Sequence, residues 1–154
     1  MALADLQRQL AAGLAGQGPG PAGMDRAVLE KARRSLESKR RRAASHLLPS
    51  LQKALSATWK SSFDEHAARY SPSGQLYHVD DAWELAETLA RGSDRGIAAA
   101  ARTDLTELRL RWARRGKGAG RIRERRGPMI AWARGLLILR LPGAEGKVWR
   151  LRVG

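Results

Sequence analysis

The sequence predicts an α+β fold: a helical N-terminal body followed by a small C-terminal antiparallel β meander. Three observations predict it. Apolar residues recur at helical spacing in successive segments as far as Trp112, as in Leu51, Leu55, Trp59 and Phe63. A glycine-rich break, Gly116-Lys117-Gly118-Ala119-Gly120, then ends the helical texture. Beyond it Met129–Ala133, Leu136–Leu141 and Val148–Val153 are strand-length apolar runs, joined by Arg134-Gly135 and by Pro142-Gly143-Ala144-Glu145-Gly146. The expected division is a helical body over residues 1–115 and a basic β meander over 116–154 packed on the helices.

Leu3, Leu6, Leu10 and Leu14 define a leading helix over residues 1–15, whose leucine stripe is expected to be buried. The Gly/Pro segment 16–23 breaks it and reads as a tether that lets the first helix move. Asp25 is placed to cap the next helix, with Met24 and Leu29 forming a hydrophobic staple. Leu29, Ala32, Leu36, Ala43 and Leu47 form its expected buried stripe. Lys31, Arg33, Arg34, Lys39, Arg40, Arg41 and Arg42 lie opposite, as a solvated or anion-binding face.

Pro49 ends that helix, and Ser50 is the expected cap of another that runs to Tyr70. Ser71-Pro72-Ser73-Gly74 is a turn. Asp81 with Glu84 resembles a capping box, starting a short helix that buries Trp83 or Ala82 with Leu85, Ala86 and Leu89. Gly92-Ser93-Asp94 closes it. A last helix of Ile97, Ala101, Leu105, Leu108 and Trp112 follows, its small residues at 98–101 permitting close packing. In the final strand Trp149, Leu151 and Val153 alternate with Arg150 and Arg152. The three apolar residues are expected to face the helices and the arginines to form a cationic outer face.

Charge is unevenly placed. Of the net +14, residues 109–154 supply +12, from fourteen Lys or Arg against Glu124 and Glu145. Such a surface recruits anionic partners without choosing the fold. Arginine dominates, and its planar fork pairs with phosphate and carboxylate alike, so nucleic acid and acidic protein both remain open. The same charges also serve solubility. Hydrophobic residues make up 43% of the chain, which is too apolar for a charged disordered protein. With no cysteine, neither disulfides nor a thiolate metal site hold the chain together, which fits a cytoplasmic protein. No apolar stretch reaches the roughly 20 residues of a membrane span, so a soluble protein without a membrane partner is expected.

Catalytic signals are sparse. His46, His66 and His78 lie in different predicted elements, so no metal site or cofactor is expected. No nucleophile elbow, phosphate loop or dinucleotide fingerprint occurs. An enzyme would require His66 to converge with a distant residue such as His78 or Asp81 in a pocket. The expectation is therefore a binding protein, not an enzyme.

An opening amphipathic helix, a Gly/Pro break, MDRAVLEKARRSLESKRRRAASHLLPSLQKAL, a helix ending in Tyr70, VDDAWELAETL, an Arg-rich stretch and ILRLPGAEGKVWRLRVG follow in that order. This order resembles the small proteins associated with multinuclear non-heme iron oxidases, which include relatives credited with a DNA-binding N-terminal domain and actinobacterial forms ending in a small β unit. The resemblance implies a non-catalytic partner of an iron-dependent oxidase that modifies ribosomal peptides, one that engages the precursor or the enzyme. On that reading the meander edge accepts an acidic peptide by strand addition, with Arg121, Arg123, Arg150 and Arg152 as its electrostatic rim. Arg114, Arg115, Lys39, Arg41 and Arg42 extend the candidate anion- or partner-binding set. The alternative is nucleic-acid binding by the Lys39–Arg42 face and the Arg109–Arg126 segment.

Overall fold

The computed structural model describes residues 3–16, 18–72, 76–114, 122–125, 127–133, 136–140 and 148–152. Six helices precede five short strands among them: α1 (Leu3–Leu14), α2 (Arg26–Leu47), α3 (Pro49–Leu55), α4 (Trp59–Arg69), α5 (Tyr77–Ala90), α6 (Arg95–Arg111), β1 (Trp112–Arg114), β2 (Ile122–Glu124), β3 (Met129–Ala133), β4 (Leu136–Arg140) and β5 (Val148–Arg152). The fold is α+β, with a helical N-terminal region and a small C-terminal antiparallel sheet. No helix among the described residues is long and apolar enough to cross a membrane.

The leucine stripe of α1 is largely uncovered: Leu3 and Leu6 are exposed, and Gly13 is the one described residue of the helix that is fully buried. The reason is the crossing geometry. A Cβ on Gly13 would sit 2.8 Å from the Gly20 Cα, and one on Gly20 would sit 2.8 Å from a Leu29 methyl. Backbone thus packs on backbone at the C-terminal end of α1, and the segment after it folds back onto α2. Gly20, with φ of +81°, takes a left-handed turn there that a side chain would strain.

On α2, Asp25 caps as expected, its Oδ1 accepting from the Ala27 N–H at 2.8 Å. Leu29 is buried, but Ala32 and Leu36 are exposed. The buried end of α2 is carried by Ala44 and by Leu48 beyond it, and the inward position between is taken by Arg40. That arginine belongs to the inner face and not to the solvated one, because it has a buried carboxylate to meet.

The long helix expected from Ser50 to Tyr70 is interrupted by a 3-10 turn at Ser56–Thr58, with Ser56 at φ of +46°. Leu51, Leu55, Trp59 and Phe63 nevertheless all stay buried. Ser50 does not cap α3. Pro49 takes the first turn, and Asp104 of α6 accepts from the backbone N–H groups of Ser50 (3.2 Å) and Leu51 (2.8 Å).

Central to the body is α5, in which Val79 through Ala86 are consecutively buried. Trp83, Ala82, Leu85 and Ala86 pack as the sequence predicts. Asp81 is not a cap; it lies within the helix and is wholly buried. Asp94 caps α6 through the N–H groups of Gly96 and Ile97. Buried Ala98, Ala99 and Ala101 allow close packing between α6 and its neighbour.

Trp112 leaves the helix in extended conformation, so α6 ends at Arg111, and β1 pairs antiparallel with β2. Ile122 of β2 joins the main core. A separate antiparallel sheet has the order β3-β4-β5 and packs against α6 through β3 and β4. Its orientation differs from the expectation. Ile138 is the fully buried residue, while Trp149 is 56% and Leu151 48% exposed. Arg150 pairs in register with Ile138 and Arg152 with Leu136, so the arginines hold positions on the face that carries Ile138. The strand MIAWA pairs with LLILR, and both are apolar on both sides. The alternation within β5 alone therefore does not decide which face meets α6. Residues 116–121, Ser73, Gly74, Arg134-Gly135, 142–146 and Val153, on which turns and strand ends were expected, lie outside the described residues.

Candidate functional site

The described cationic residues do not form one surface. Lys39 and Arg42 are exposed on α2, and Arg123 is exposed on β2. Arg41 is engaged instead: its Nη1 lies 2.8 Å from Asp64 Oδ1, and Lys60 Nζ holds the other oxygen at 2.8 Å. Burial raises the Asp64 pKa, but the hydrogen bonds from Lys60 and Arg41 outweigh it and hold the carboxyl below the usual range.

Arg114 is corrected most sharply. Far from lining an anion-binding rim, it is buried, with Nη2 on Glu84 and 3.2 Å from Asp80 Oδ1, and Nη1 3.7 Å from Glu87. Three carboxylates on successive turns of α5 face it, so its charge is satisfied internally. Arg115 and Arg121 lie outside the described residues, as do the side chains of Arg150 and Arg152.

Beside Arg114 runs a second buried ionic group. Arg40 donates from Nε to Asp81 Oδ2 (2.8 Å) and from Nη2 to both Asp81 Oδ1 and the Tyr70 carbonyl (2.9 Å each). His66 Nε2 lies 3.0 Å from Asp81 Oδ1, so the convergence required of His66 does occur. Burial raises the Asp81 pKa, but the hydrogen bonds from His66 and Arg40 dominate and hold it below the usual carboxylate range. The Tyr70 hydroxyl donates to Asp80, and burial together with that carboxylate pushes the phenol well above its ordinary value. A cavity of about 440 Å³ adjoins this group, lined in part by His66, Arg69, Tyr70 and Glu84.

Chemically this arrangement is a clamp. Both Asp81 oxygens are taken by Arg40, and His66 is held against one of them, so α2, α4 and α5 are tied together. His78 rests edge-on against Tyr77 and His46 lines a small cavity with Arg111 and Trp112, so neither joins His66. Among the described residues no group of three or more His, Cys, Asp or Glu is placed to hold a metal ion.

The feature that sequence reasoning missed lies on the sheet. Ile130 (72% exposed), Trp132 (60%), Trp149 and Leu151 occupy its outer face with the half-buried Leu137 and Leu139. Register sets them in two rows, Ile130–Leu139–Trp149 and Trp132–Leu137–Leu151. The signal was the apolar character of β3 and β4 at both alternations, which one covered face cannot absorb. The outer edge of β5 has no strand partner among the described residues.

No curated protein and no solved structure matches the chain. A family model does, over a span that runs from within α1 to Arg91 just past α5 and leaves α6 and both sheets outside it. That model, described as SCO6045-like, C-terminal domain, matches residues 4–91, more than half of the chain, and the protein belongs to that family.

Proposed function

We propose that this protein is a non-enzymatic partner of a multinuclear non-heme iron oxidase that modifies ribosomal peptides, and that it engages an acidic segment of the precursor along the outer edge of β5. The order of sequence elements supplies the enzyme class. The observation that supports the binding mode is the outer edge of β5, which has no strand partner among the described residues, in a region of the chain with a net charge of +12. An added strand gains main-chain hydrogen bonds worth about 1 kcal/mol each, so a five-residue edge needs charge attraction to reach useful affinity.

Fluorescence anisotropy with the labelled precursor peptide and with the oxidase from the same genome tests this. Low-micromolar binding that weakens with salt, with slowed amide exchange at residues 148–152 in the peptide complex, is the expected result. No complex with either component would remove the proposal. Binding of duplex or single-stranded oligonucleotides in place of the peptide would transfer the basic surface to nucleic acid.

A further inference from the structure

The outer face of the β3-β4-β5 sheet is a grid of six apolar side chains, two on each strand and none of them charged. Register places Ile130, Leu139 and Trp149 across one row and Trp132, Leu137 and Leu151 across the next. The tryptophans therefore hold one pair of diagonal corners and Ile130 and Leu151 the other, with the two leucines of β4 between them. A half-turn about the centre of the grid exchanges Trp132 with Trp149, Ile130 with Leu151 and Leu137 with Leu139. The face repeats its own pattern.

Two such faces laid together across a two-fold axis, whether it runs along the strands or across them, set each tryptophan over an aliphatic corner of the other copy and leucine over leucine in the middle. Large meets small at all four corners, which is the self-complementarity that an isologous contact requires. Aligned sheets pack in this way about 10 Å apart, their inner side chains interdigitating. Ile130, Trp132, Trp149 and Leu151 are each roughly half to three-quarters exposed, which leaves on the order of 500 Å² of side chain in water per copy and about 1,000 Å² for two, the lower bound of a specific interface. None of the six positions brings a charge that must be desolvated.

We propose that this protein forms a two-fold dimer through the outer face of its β3-β4-β5 sheet, a second copy of the chain covering the apolar grid. Burial of the grid drives association and like charge opposes it, since residues 109–154 of each copy carry a net +12. Salt should therefore tighten the dimer, the reverse of its effect on capture of an acidic peptide or a nucleic acid. Face-to-face packing leaves the outer edge of β5 open, so the dimer does not depend on the peptide reading and places two such edges in one particle.

Sedimentation equilibrium of the full chain at low and high salt, spanning dissociation constants of about 1 μM to 1 mM, tests it. A micromolar dimer that is tighter at high salt is the expected result. Ile130→Glu, and Trp132→Ser together with Trp149→Ser, should each raise the dissociation constant at least about tenfold. All three side chains are more than half exposed, so both variants are expected to keep the parent circular dichroism. The parent alone gives a second readout, which decides even where a variant misfolds. Of its five tryptophans, Trp59 and Trp83 are buried and Trp112 is half-buried, so acrylamide quenching reports chiefly Trp132 and Trp149 and should fall as the protein associates. A monomer throughout this range at both salts would overturn the proposal, as would a dimer that both folded variants retain or one whose tryptophans stay equally quenchable. A dimer that dissociates as salt rises would put charge in control and overturn it too. In a monomeric parent, flotation with phospholipid vesicles that the variants lose would assign the face to a lipid surface instead.

Discussion

Arg40 and Asp81, separated by 41 positions in sequence, form a two-pronged ion pair at 2.8 and 2.9 Å in which the carboxylate is wholly buried. This pair decides which face of α2 turns inward. It also makes the contact between α2 and α5 specific in a way that alanine and leucine packing alone would not.

Breaking the pair from one side should be costly, because the remaining charge stays buried. Arg40→Ala and Asp81→Asn are each expected to lose about 3–5 kcal/mol in urea denaturation, and Arg40→Met with Asp81→Leu together much less. The folded pKa of Asp81 lies below its ordinary 3.8, so its stabilisation is complete above that value and disappears as pH falls through the folded pKa. A stability profile unchanged by Asp81→Asn below pH 4 and above it would contradict this role.

Asp104 should act in the opposite sense and in a different window. Burial raises its pKa from 3.8 to about 6, against the hydrogen bonds from Leu51 and Ser50. Between those two values the folded state holds a proton that the unfolded state releases, so stability declines as pH rises, by roughly 3 kcal/mol in all. Asp104→Asn, which keeps an acceptor for the α3 N–H groups, should flatten the urea midpoint between pH 4 and 6. Asp104→Ala should in addition cost about 1–3 kcal/mol by leaving those groups unsatisfied. A parent midpoint that rises steadily across this window would refute the assignment.

On the sheet, the order of two substitutions should follow burial and not side-chain size. Ile138→Ala is expected to cost about 2–5 kcal/mol, since Ile138 is fully buried beneath the sheet. Trp149→Ala, at a residue 56% exposed, should cost clearly less. Thermal unfolding of the two variants side by side gives the comparison, and a larger loss for Trp149→Ala would restore the register inferred from β5 alone.

Local signals were legible. Leu51, Leu55, Trp59 and Phe63 announced a buried stripe that survives even a break at Ser56, and Asp25 sits one residue before the helix it caps. The three meander strands were readable from apolar runs between turn residues. What failed depended on distant partners. Asp81 looks like a cap because a carboxylate within a helix is ordinarily exposed, and nothing nearby in sequence reveals Arg40 or His66. Arg114 likewise reads as one more surface cation until Asp80, Glu84 and Glu87 come together around it. For the sheet, two strands apolar on both sides left the choice of covered face to packing against α6, and the basic alternation of β5 pointed the wrong way.

Asp104 reaches back 53 positions to complete the first turn of α3. As the chain is made, residues 49–55 therefore emerge several seconds before the group that satisfies their amides, at roughly 5–20 residues per second. Until α6 arrives, water must serve those amides and Leu51 cannot be sealed from solvent. Truncation before residue 104 is therefore expected to leave the first turn of α3 without the carboxylate that satisfies its amides.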